Sequence, residues 1–526
     1  MWGNASRLFV FLMGVGLIAG SAGAVLTPLG ESPFVSQTKF KPEGEIDRLV
    51  FAQLERLELQ SAHICSDAVF LRRTYLDVIG TLPTAKEASD FLLSREPNKR
   101  TALIDRLLER EEFADYWAMK WSDLLRVKAE FPINLWPNAA QAYHRWIRTA
   151  IRENRPYDQF ARALLTASGS NFREPPVNFY RAIQDRSPSG IAQTVALTFM
   201  GTRAEKWPTN QLAGMAAFFS QVGVKYTAEW KEEIIFFDPA KTNTATAMLP
   251  DGTQIKLSPD QDPRRVFAAW LIDAQNPWFT RNIANRVWFW LLGRGVVEEP
   301  DDFRSDNPPS HPELLAFLEA ELVSSHYDLK HLYRLILNSK TYQLSSIPGT
   351  DDPQGAANFA SYPLRRLDAE VLIDALCQIT GSTEKCTSAI PEPFTFIPDG
   401  QRSIALPDGS ISSSFLEMFG RPSRDTGMES ERNNRPTAGQ TLHLLNSSHI
   451  QSKIEQSRTV QNLAQSKTHP RELIGGLYLA TLSRFPSEDE LKIVTAHFES
   501  RPTNRREAAA DLVWALVNSP EFLYRH

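Results

Sequence analysis

The stretch TYLDVIGTLPTAKEASDFL, residues 74–92, decides the fold because a closely similar stretch, YLATLSRFPSEDELKIVTAHF, begins at position 478. In each, a proline precedes a hydroxyl residue that stands three positions before a glutamate: Thr84 before Glu87, and Ser487 before Glu490. This spacing predicts a capping box, in which the hydroxyl accepts from an unpaired backbone N–H of the first helical turn and the glutamate reaches back to the cap. Both stretches therefore predict a helix start.

A third copy of the pattern is predicted at Ser310 and Glu313, within PPSHPE. Each copy continues into an apolar-periodic helix, a charged turn and a second helix that ends at an aromatic residue: Phe113, Tyr342 and Phe522. A unit of roughly thirty residues is too small to bury its own apolar stripe, so we expect three helical hairpins that pack on other elements. The alternative is that capped helix pairs recur by chance in a mostly helical chain.

The rest of the chain is also mainly helical in pattern. Aromatic-rich segments with spacings of three or four predict helices at 47–59, 113–127, 139–153, 191–200 and 211–221. At about 232–257 the sequence changes to β-branched and aromatic runs around Asp251-Gly252, which predicts a β-hairpin. We therefore predict a mainly α fold, with helical-hairpin repeats in two packed helical domains and small β-hairpin insertions.

A boundary near 259–263 divides the chain. We expect a signal peptide at 1–24, an N-terminal extension at 25–43, a first helical domain at 44–258 and a second at 259–526. The second domain contains an irregular insertion at about 385–436. Its Pro-, Ser- and Gly-rich part, 390–414, contains an Asp408-Gly409 turn and is expected to be β-rich.

The N-terminus has the features of a secretory signal peptide. Arg7 precedes an apolar run at 8–20, and Ala22 and Ala24 supply the small residues of a cleavage site. The alternative, a membrane anchor, is disfavoured because the run is shorter than the roughly 20 residues that a bilayer span needs. We expect an exported protein, periplasmic or extracellular, with no transmembrane span after cleavage.

Composition limits the partners and the role of disulfides. The 526 residues are 42% hydrophobic and carry a formal net charge of -5, so no excess of Lys and Arg favours a nucleic-acid backbone. Only Cys65, Cys377 and Cys386 are present, which allows at most one disulfide. Cys377 and Cys386 are the nearer pair in sequence, and whether they pair is left open.

Several long phrases resemble a known family. SDAVFLRRTYLDVIGTLPT followed by NKRTALIDRLLEREEFADYWAMKWSDLLR is similar to the domain of unknown function 1549 of secreted planctomycete-type proteins. DPRRVFAAWLIDAQNPWFTRNIANRVWFWLLGRGVVEEPDDFRSDNPPSHPELLAFL, YPLRRLDAEVLIDAL and ERNNRPTAGQTLHLLNS are similar to its C-terminal companion, the domain of unknown function 1553. The resemblance implies a two-domain helical protein, and it implies no established activity.

Two departures from this family concern cofactors. Many relatives carry a Cys-x-x-Cys-His motif, whereas the corresponding window here, 206–210, holds neither Cys nor His. Relatives often have a Cys-x-Cys where this chain has Met428 and Ser430. A c-type haem needs two thioethers and an axial His, and no C-x-x-C-H is present, so we expect no covalent haem. We expect no cofactor of another kind, with Ca²⁺ as the disfavoured alternative.

An oxygen-rich loop offers a possible metal site. Its members are Asp301, Asp302, Asp306, Asn307 and His311, which are close in sequence and of the type that holds Ca²⁺. The spacing is not that of an EF-hand. The preferred alternative is a solvated acidic loop that leads to the Ser310 cap.

The loop 421–446 offers a possible ligand site. Its charged and polar members are Arg421, Arg424, Asp425, Glu429, Glu431, Arg432, Gln440 and His443. Arginine pairs can bind a carboxylate or sulfate bidentately, which would suit an anionic ligand. The preferred alternative is an ion-pair network that fixes an irregular loop.

Other pairs and rings are interpreted as structural. Arg73 with Asp77, and Arg366 with Glu370, stand four apart and predict ion pairs along a helix. Trp117, Trp121, Trp288 and Trp290 could stack on a sugar ring, but tryptophans at helical spacing indicate core.

These observations favour an exported helical binding or scaffold protein that contacts another envelope protein or an extracellular polymer. The alternative is an enzyme of unrecognised type that acts on an anionic or polysaccharide substrate at 421–446. No G-x-S-x-G, H-E-x-x-H or glycine-rich phosphate loop supports it. A redox partner is the least favoured class because the haem motif is missing.

Overall fold

The structure of the chain is a computed structural model that describes residues 32–36, 40–241, 246–465, 469–501 and 504–526. The predicted signal peptide lies outside the described residues. Helices make up 53% of the structure and the sheets are small, so the prediction of a mainly α fold is confirmed. In the part of the chain that the structure describes, no helix is both long and apolar enough to cross a bilayer.

The helices of the first half follow one another with short connections. In chain order they are α1 Gly44–Arg56, α2 Asp67–Val78, α3 Ala85–Leu93, α4 Lys99–Leu108, α5 Glu111–Leu124, α6 Pro137–Arg152, α7 Tyr157–Leu165, α8 Asn178–Arg181, α9 Pro188–Val195 and α10 Thr209–Ala216. The five predicted helices are present, with starts two or three residues earlier than predicted. The last two change geometry at their ends, into a π-turn at Ala196–Met200 and a 3-10 turn at Ala217–Phe219.

The second half continues the helical pattern. In chain order its helices are α11 Pro263–Leu271, α12 Phe279–Leu292, α13 Pro312–Ser324, α14 Leu329–Asn338, α15 Pro353–Ala357, α16 Ala369–Thr380, α17 Ser414–Met418, α18 Ala438–Asn446, α19 Ser448–Glu455, α20 Arg458–Gln465, α21 Pro470–Leu482, α22 Glu488–Glu499, α23 Arg505–Val517 and α24 Pro520–Leu523. Nearly all buried apolar residues of both halves belong to one contiguous cluster, so the halves share a core; Ala62, Ile64 and Leu344 form a small separate cluster.

Three small antiparallel sheets interrupt the helices. Strands β1 Gly169–Ser170, β2 Val222–Tyr226 and β3 Glu233–Phe237 lie in the order β1-β3-β2. Strand β4 Thr246–Met248 pairs with β5 Gln254–Lys256, and β6 Arg365–Arg366 pairs with β7 Tyr524–Arg525.

The single hairpin predicted at 232–257 is corrected by this pairing. Asp251-Gly252 does lie between two paired strands, β4 and β5. The earlier run, β3, pairs instead with β2, which is only a short turn before it in the chain. A short connection favours antiparallel pairing with the nearest strand, and the sequence pattern of β3 alone does not reveal its partner.

The insertion 390–414 is not β-rich, and that prediction is wrong. Its regular structure is the 3-10 turn Ser403–Ala405, an isolated β-bridge from Ser412 to Thr387 and the first residue of α17. The predicted Asp408-Gly409 turn is present, since Asp408 O accepts from Ile411 N at 3.1 Å, but it joins no pair of strands. The Asp408 side chain is buried, and its Oδ1 accepts from Ser410 N at 2.9 Å and Ala129 N at 2.8 Å. The Asp-Gly pair therefore anchors the insertion to another loop.

Two of the three predicted capping boxes are present. The Thr84 hydroxyl accepts from Glu87 N at 3.2 Å, and Glu87 Oε2 accepts from Thr84 N at 2.8 Å. The same pair of bonds joins Ser487 and Glu490, at 3.2 and 2.7 Å. These bonds begin α3 and α22 where the sequence predicts.

The two copies share more than a cap. In the first, Arg110 pairs with the capping Glu87 at 2.9 Å and with Glu112, which precedes the terminal Phe113, at 2.6 Å. In the last, Arg484 pairs at 2.7 Å with Glu490 and with Glu521, which precedes Phe522. The repeat therefore includes an ion triad that ties the cap to the end of the hairpin.

The central copy is corrected. The cap of α13 is His311, whose Nδ1 accepts from Leu314 N at 3.2 Å. The Ser310 hydroxyl instead donates to Val296 O at 3.1 Å, and Glu313 forms no capping box. Pro312 takes the first helical position, which moves the cap one residue beyond Ser310.

The repeated units contact one another. Helix α3 packs on α21, which leads into the last copy, and α4 packs on α14 of the central pair. Arg72 of α2 donates to Thr481 O at 2.8 Å and to Phe522 O at 2.9 Å. The two similar stretches are thus neighbours in space, which accounts for the burial of apolar stripes that neither could bury alone.

We expect Thr84→Ala and Ser487→Ala each to cost about 0.5–2 kcal/mol, because each removes a partner of a backbone N–H at a helix start. Ser310→Ala should cost less, since the Val296 carbonyl that its hydroxyl bonds keeps the hydrogen bond from Ser310 N at 2.8 Å. Hydrogen exchange at the first turns of α3, α22 and α13 measures each cost locally. Equal loss of protection at α13 in Ser310→Ala would contradict the corrected cap.

Candidate functional site

The arginine-rich loop lies inside the junction between the two halves of the chain. The Arg424 and Arg432 side chains are 0% and 6% exposed. Arg424 Nε donates to Asp123 Oδ1 at 2.9 Å, and Arg432 Nη2 donates to Asp123 Oδ2 at 2.7 Å. Because Asp123 belongs to α5, this carboxylate fastens a loop of the second half to a helix of the first.

Glu370 of α16 is the second carboxylate of this junction. Arg432 donates to its two oxygens at 2.7 and 3.1 Å, and Arg421 Nε lies 3.4 Å from Oε1. Arg421 also donates to Ile411 O, and to Asp408 O at 3.2 Å. The arginines thus neutralise a fully buried carboxylate, and most of their donors bind partners within the chain. Arg421 Nε, Arg424 Nη2 and Arg432 Nε are buried without a hydrogen-bond partner among the described residues.

Glu431 closes the loop on itself. Its carboxylate oxygens accept from Asp425 N at 2.9 Å and Thr426 N at 3.1 Å. Burial opposes ionisation of Glu431, but these hydrogen bonds and those from Ser423 and Thr426 hydroxyls outweigh it and hold its pKa below the ordinary value. Glu431 therefore acts as a fixed anion that shapes the loop.

The acidic loop is mostly buried and paired. Asp301 forms an ion pair with Arg286, and its Oδ2 accepts from Glu429 N at 2.6 Å. Burial raises the pKa of Glu429; the Lys120 ammonium opposes this, and the Asp301 carboxylate adds to it. Asp301 therefore links Arg286 of α12 to the backbone of the loop 421–446.

The remaining acidic residues of this loop have other partners. Arg304 Nε lies 3.2 Å from Asp302 and 3.4 Å from Asp306, and Asn307 Nδ2 donates to Asp302 O at 3.0 Å. Only Asp306, with its side chain 72% exposed, fits the prediction of a solvated loop. Within the described residues, no group of three or more His, Cys, Asp or Glu is arranged to hold a metal ion.

Gln440 and His443 lie on α18, at the edge of the junction. Gln440 completes a capping box with Thr437, accepts from Arg366 and donates to Met418 O at 2.8 Å. His443 is turned away from the arginines. Its Nε2 lies 3.4 Å from His449 Nδ1.

The two predicted ion pairs along helices are wrong. Arg73 donates to Leu344 O at 2.8 Å and lies over the Tyr362 ring, while Asp77 accepts from Tyr342 and Tyr362 hydroxyls at 2.9 and 2.8 Å. Arg366 and Glu370 likewise bond Gln440 and Arg432, as described above. These side chains are buried, so partners from other elements replace the neighbour one turn away.

The four tryptophans considered for sugar stacking belong to the core, as the sequence indicates. Trp117, Trp121, Trp288 and Trp290 are at most 5% exposed. A cavity of about 30 Å³, lined in part by Trp117, Trp121 and Tyr333, lies beside them and has room for a single water.

A different set of aromatic residues clusters at the surface, around the half-buried Trp136. Trp136 lies edge-to-face with Trp230, with ring centroids 6.3 Å apart, and with Phe394, with centroids 5.3 Å apart. Trp230 and Phe394 are 68% and 44% exposed. We call these three rings the aromatic platform.

Three segments carry the platform and further exposed rings. They are the loop 128–136, the segment 226–232 that runs from the last residue of β2 through the turn to β3, and the insertion segment 388–397. Besides the platform they carry Phe131, Tyr226 and Phe396, which are 85%, 73% and 66% exposed. Of the twelve large apolar side chains that are exposed in the described chain, five lie on these segments and all five are aromatic; six of the other seven are aliphatic.

Buried polar groups hold the first two segments together. The Arg181 side chain is 1% exposed; its Nη1 donates to Leu135 O at 3.1 Å and its Nη2 to Glu233 Oε1 at 3.2 Å. The buried Asn171 donates to Lys231 O at 3.1 Å and accepts from Glu233 N at 3.0 Å. The loop before Trp136 and the turn that carries Trp230 are thus fixed to one base.

The third segment is tied to the first. Glu130 Oε1 accepts from Ala389 N at 3.2 Å, and Glu130 N donates to Ser410 Oγ at 2.9 Å. Gly409 N donates to Val127 O at 2.9 Å. These bonds bring Phe394 to Trp136 from a position more than 250 residues later in the chain.

The backbone at the platform is strained. Asn134, Trp136 and Lys231 have φ values of 62°, 72° and 60°, in the left-handed region that glycine favours. For a residue as bulky as Trp136 such a φ costs of order 1–3 kcal/mol and persists only where the surroundings impose it. Strain of this kind collects at binding sites, and it holds the Trp136 ring in a defined position.

Lys231 supplies a cation to the platform. Its Nζ lies 5.1 Å from the Trp136 ring centroid and 5.5 Å from that of Trp230. At this distance the ammonium is attracted to the ring faces. The platform therefore combines π faces with a hydrogen-bond donor.

Comparison with known families gives two matches in sequence order. Residues 45–222 match PSCyt2, described as a protein of unknown function (DUF1549), and residues 263–498 match PSD1, a protein of unknown function (DUF1553). The chain belongs to this two-domain family. No curated protein and no solved structure matches it.

The platform is shared by the two family domains. Loop 128–136 lies within the DUF1549 match, segment 388–397 lies within the DUF1553 match, and the turn that carries Trp230 lies between them. The arginine junction also joins the two domains, through Asp123 on one side and Arg432 on the other.

A polar groove of about 850 Å³ also runs between the DUF1549 and DUF1553 domains, beside α1, α4 and α14. Its cations are already paired: Lys99 and Arg100 with Asp67 at 2.7 and 2.9 Å, and Lys340 with Glu43 at 3.0 Å. The groove gives no chemical indication of a ligand.

The cysteines are free thiols. Burial raises the pKa of Cys377, and raises that of Cys386 to about 11, so both thiols are protonated at neutral pH. Neither thiol is activated as a nucleophile or a metal ligand.

Sequence reasoning missed the platform because it searched for aromatics at helical spacing. Phe131, Trp136 and Phe394 each stand next to a proline or one residue from it, in FPINLWP and EPF. Aromatic residues beside proline in a loop cannot join a periodic core stripe, and that signal could have singled them out.

Proposed function

We propose that this chain is an exported binding protein that holds a polysaccharide on the aromatic platform. The observation that carries the proposal is the composition of the exposed apolar surface. The three segments expose only aromatic large apolar side chains, whereas the exposed ones elsewhere on the described chain are aliphatic with a single exception, Phe485.

Aromatic faces suit a sugar ring. The face of a pyranose carries C–H bonds with partial positive charge, and the face of an indole or phenyl ring carries partial negative charge. Aromatic residues are enriched at protein interfaces as well, so protein docking is the competing use of this surface. The exposed apolar side chains of the three segments are all aromatic, and the Lys231 ammonium lies beside two of the rings. This combination favours a ligand that offers both C–H faces and hydroxyls.

The fixed backbone supports the same role. Rings held by Arg181, Asn171 and Glu130 lose little conformational freedom when a ligand stacks on them, and this lowers the cost of binding. The predicted signal peptide supports exposure to extracellular polymers. The alternative enzyme at 421–446 gains no support, because Arg424 and Arg432 already bind Asp123 and Glu370.

The test is affinity electrophoresis and pull-down of the mature chain with a panel of neutral and acidic polysaccharides. We expect Trp230→Ala and Phe394→Ala each to weaken binding about tenfold, by analogy with nucleobases, for which loss of one stacking ring costs about 1–3 kcal/mol. Phe485→Ala is the matched control: Phe485 is 43% exposed, close to the 44% of Phe394, and lies outside the three segments.

Binding should persist in high salt, since stacking is not screened by ions. Failure of every polysaccharide to bind would overturn the proposal, as would equal loss of binding in Phe485→Ala. Binding of a protein partner that depends on Trp230, with no polysaccharide binding, would reassign the platform to protein docking.

A further inference from the structure

Two histidines face each other at the corner between α18 and α19. His443 Nε2 lies 3.4 Å from His449 Nδ1. On its other side, His449 Nε2 lies 2.9 Å from Glu384 Oε2. This cluster is separate from the aromatic platform and from the arginine junction.

The carboxylate fixes the tautomer of His449. Glu384 Oε2 also lies 3.1 Å from the Lys453 ammonium, so this carboxylate is the acceptor for both neighbours. Glu384 is therefore an anion that accepts the Nε2–H of His449, which leaves a lone pair on Nδ1. That lone pair points at His443.

The separation of the two nitrogens is long for a hydrogen bond, whose donor and acceptor are commonly about 2.7–3.2 Å apart. It fits two ligands of one metal ion. With Zn–N bonds of about 2.0–2.1 Å, a separation of 3.4 Å corresponds to an N–Zn–N angle of about 110°, the tetrahedral value.

We propose that His443 and His449 bind a Zn²⁺ ion, with solvent in the remaining two positions. Binding requires His443 to carry its proton on Nδ1, a change of tautomer that loses no proton. Glu384 then acts as the outer carboxylate that orients a ligating imidazole and raises its basicity. Adjacent ligands of square-planar Cu²⁺ would be only about 2.8 Å apart at a metal–nitrogen distance of about 2.0 Å, so the geometry favours the tetrahedral ion.

Aromatic rings preorganise the two imidazoles. Phe415 lies edge-on to both, with ring centroids 5.8 Å from His443 and 5.9 Å from His449, and Phe419 lies 6.1 Å from His443. These edge contacts hold the two rings facing each other.

The test is calorimetric titration of the mature chain with ZnCl₂, with Co²⁺ as a spectroscopic probe of tetrahedral coordination. We expect one site that His443→Gln and His449→Gln abolish and that Glu384→Gln weakens 10–100-fold. His331→Gln is the matched control, because His331 lies 3.0 Å from Glu321 and has no second imidazole beside it.

The absence of Zn²⁺ binding, or binding that survives His443→Gln, would show that the two rings form a hydrogen-bonded pair only. An octahedral Co²⁺ spectrum, or equal loss in His331→Gln, would also overturn the site. Far-UV circular dichroism of each variant separates loss of the site from loss of the fold. None of these outcomes depends on polysaccharide binding.

Discussion

Arg432→Met is expected to lower the free energy of unfolding by about 3–5 kcal/mol, the usual result of removing one member of a buried ion pair. The substitution keeps the length of the side chain and removes its charge. Asp123 then loses one of its two arginines, and Glu370 keeps only Arg421 Nε at 3.4 Å. Two carboxylates would remain in a low-dielectric interior with too few donors.

Arg435→Met is the matched control, since Arg435 lies three residues later and is exposed. Its effect should stay within about 0.5 kcal/mol, as for other surface substitutions. Urea unfolding gives the difference in free energy, and hydrogen exchange in α5 and α16 locates it. Equal stability of the two variants would contradict the structural role of Arg432.

The same variant separates the two interpretations that the sequence leaves open for this loop. If Arg432 binds an anionic ligand, Arg432→Met should leave the fold stable and abolish anion binding. If it holds the junction, Glu370→Gln should be less costly in the Arg432→Met background than alone, because the two share one interaction. The hydrogen bonds that Arg432 Nη1 and Nη2 donate to Glu370 and Asp123 favour the second result.

Local patterns in the sequence predict local structure well. A proline, a hydroxyl and a glutamate within four residues set the starts of α3 and α22, because every partner in a capping box lies inside one helical turn. The same reasoning fails at Ser310 by one residue. There a second proline competes for the first helical position, and spacing alone does not decide between Ser310 and His311.

Partners that are distant in the chain could not be predicted. Arg432 meets Asp123 across 309 positions and Glu370 across 62. The sequence pattern predicts ion pairs only between residues one helical turn apart, such as Arg366 and Glu370. In the folded chain these side chains are buried, and they bind residues from other elements instead. The sequence identifies the charged residues of the loop, but the partners that they bind are visible only in the folded structure.

The sequence also could not predict which aromatic side chains are exposed. Trp117 and Trp230 are the same residue type, yet one is 2% and the other 68% exposed. Helical spacing correctly indicates that Trp117 is core. For Trp230 no periodicity exists, and its exposure follows from the β2–β3 turn, whose partner strands the sequence did not reveal.

Acidification is expected to destabilise the protein through His144. This residue of α6 is 5% exposed, and its Nε2 has no hydrogen-bond partner within the described residues. Burial lowers the pKa of His144 to about 3, and the charges of Arg424, Arg148 and Arg145 add to the shift. The folded state therefore keeps His144 neutral where the unfolded state, with a pKa near 6.5, takes up a proton.

The sign follows from this difference. Above pH 6.5 neither state is protonated at His144, and its contribution does not change with pH. Between pH 6.5 and about 3 the unfolded state holds one more proton, so stability falls by about 1.4 kcal/mol per pH unit through this residue. At pH 4.5 the loss is about 2.7 kcal/mol.

His144→Leu should remove this part of the slope, because leucine fills a similar volume and does not titrate. His526, whose pKa burial lowers to about 4, and the paired carboxylates should keep the rest of it. We therefore expect the free energy of unfolding in urea to fall less steeply for His144→Leu than for the parent between pH 6.5 and 4.5. The difference between the two should change by about 1.4 kcal/mol per pH unit, in favour of the variant at low pH.

His331→Gln, which removes a histidine that is far less buried, should retain the full slope of the parent. Parallel curves for His144→Leu and the parent would mean that His144 accepts a proton in the folded state, which would require a partner for Nε2 that Arg424 and Arg148 cannot supply.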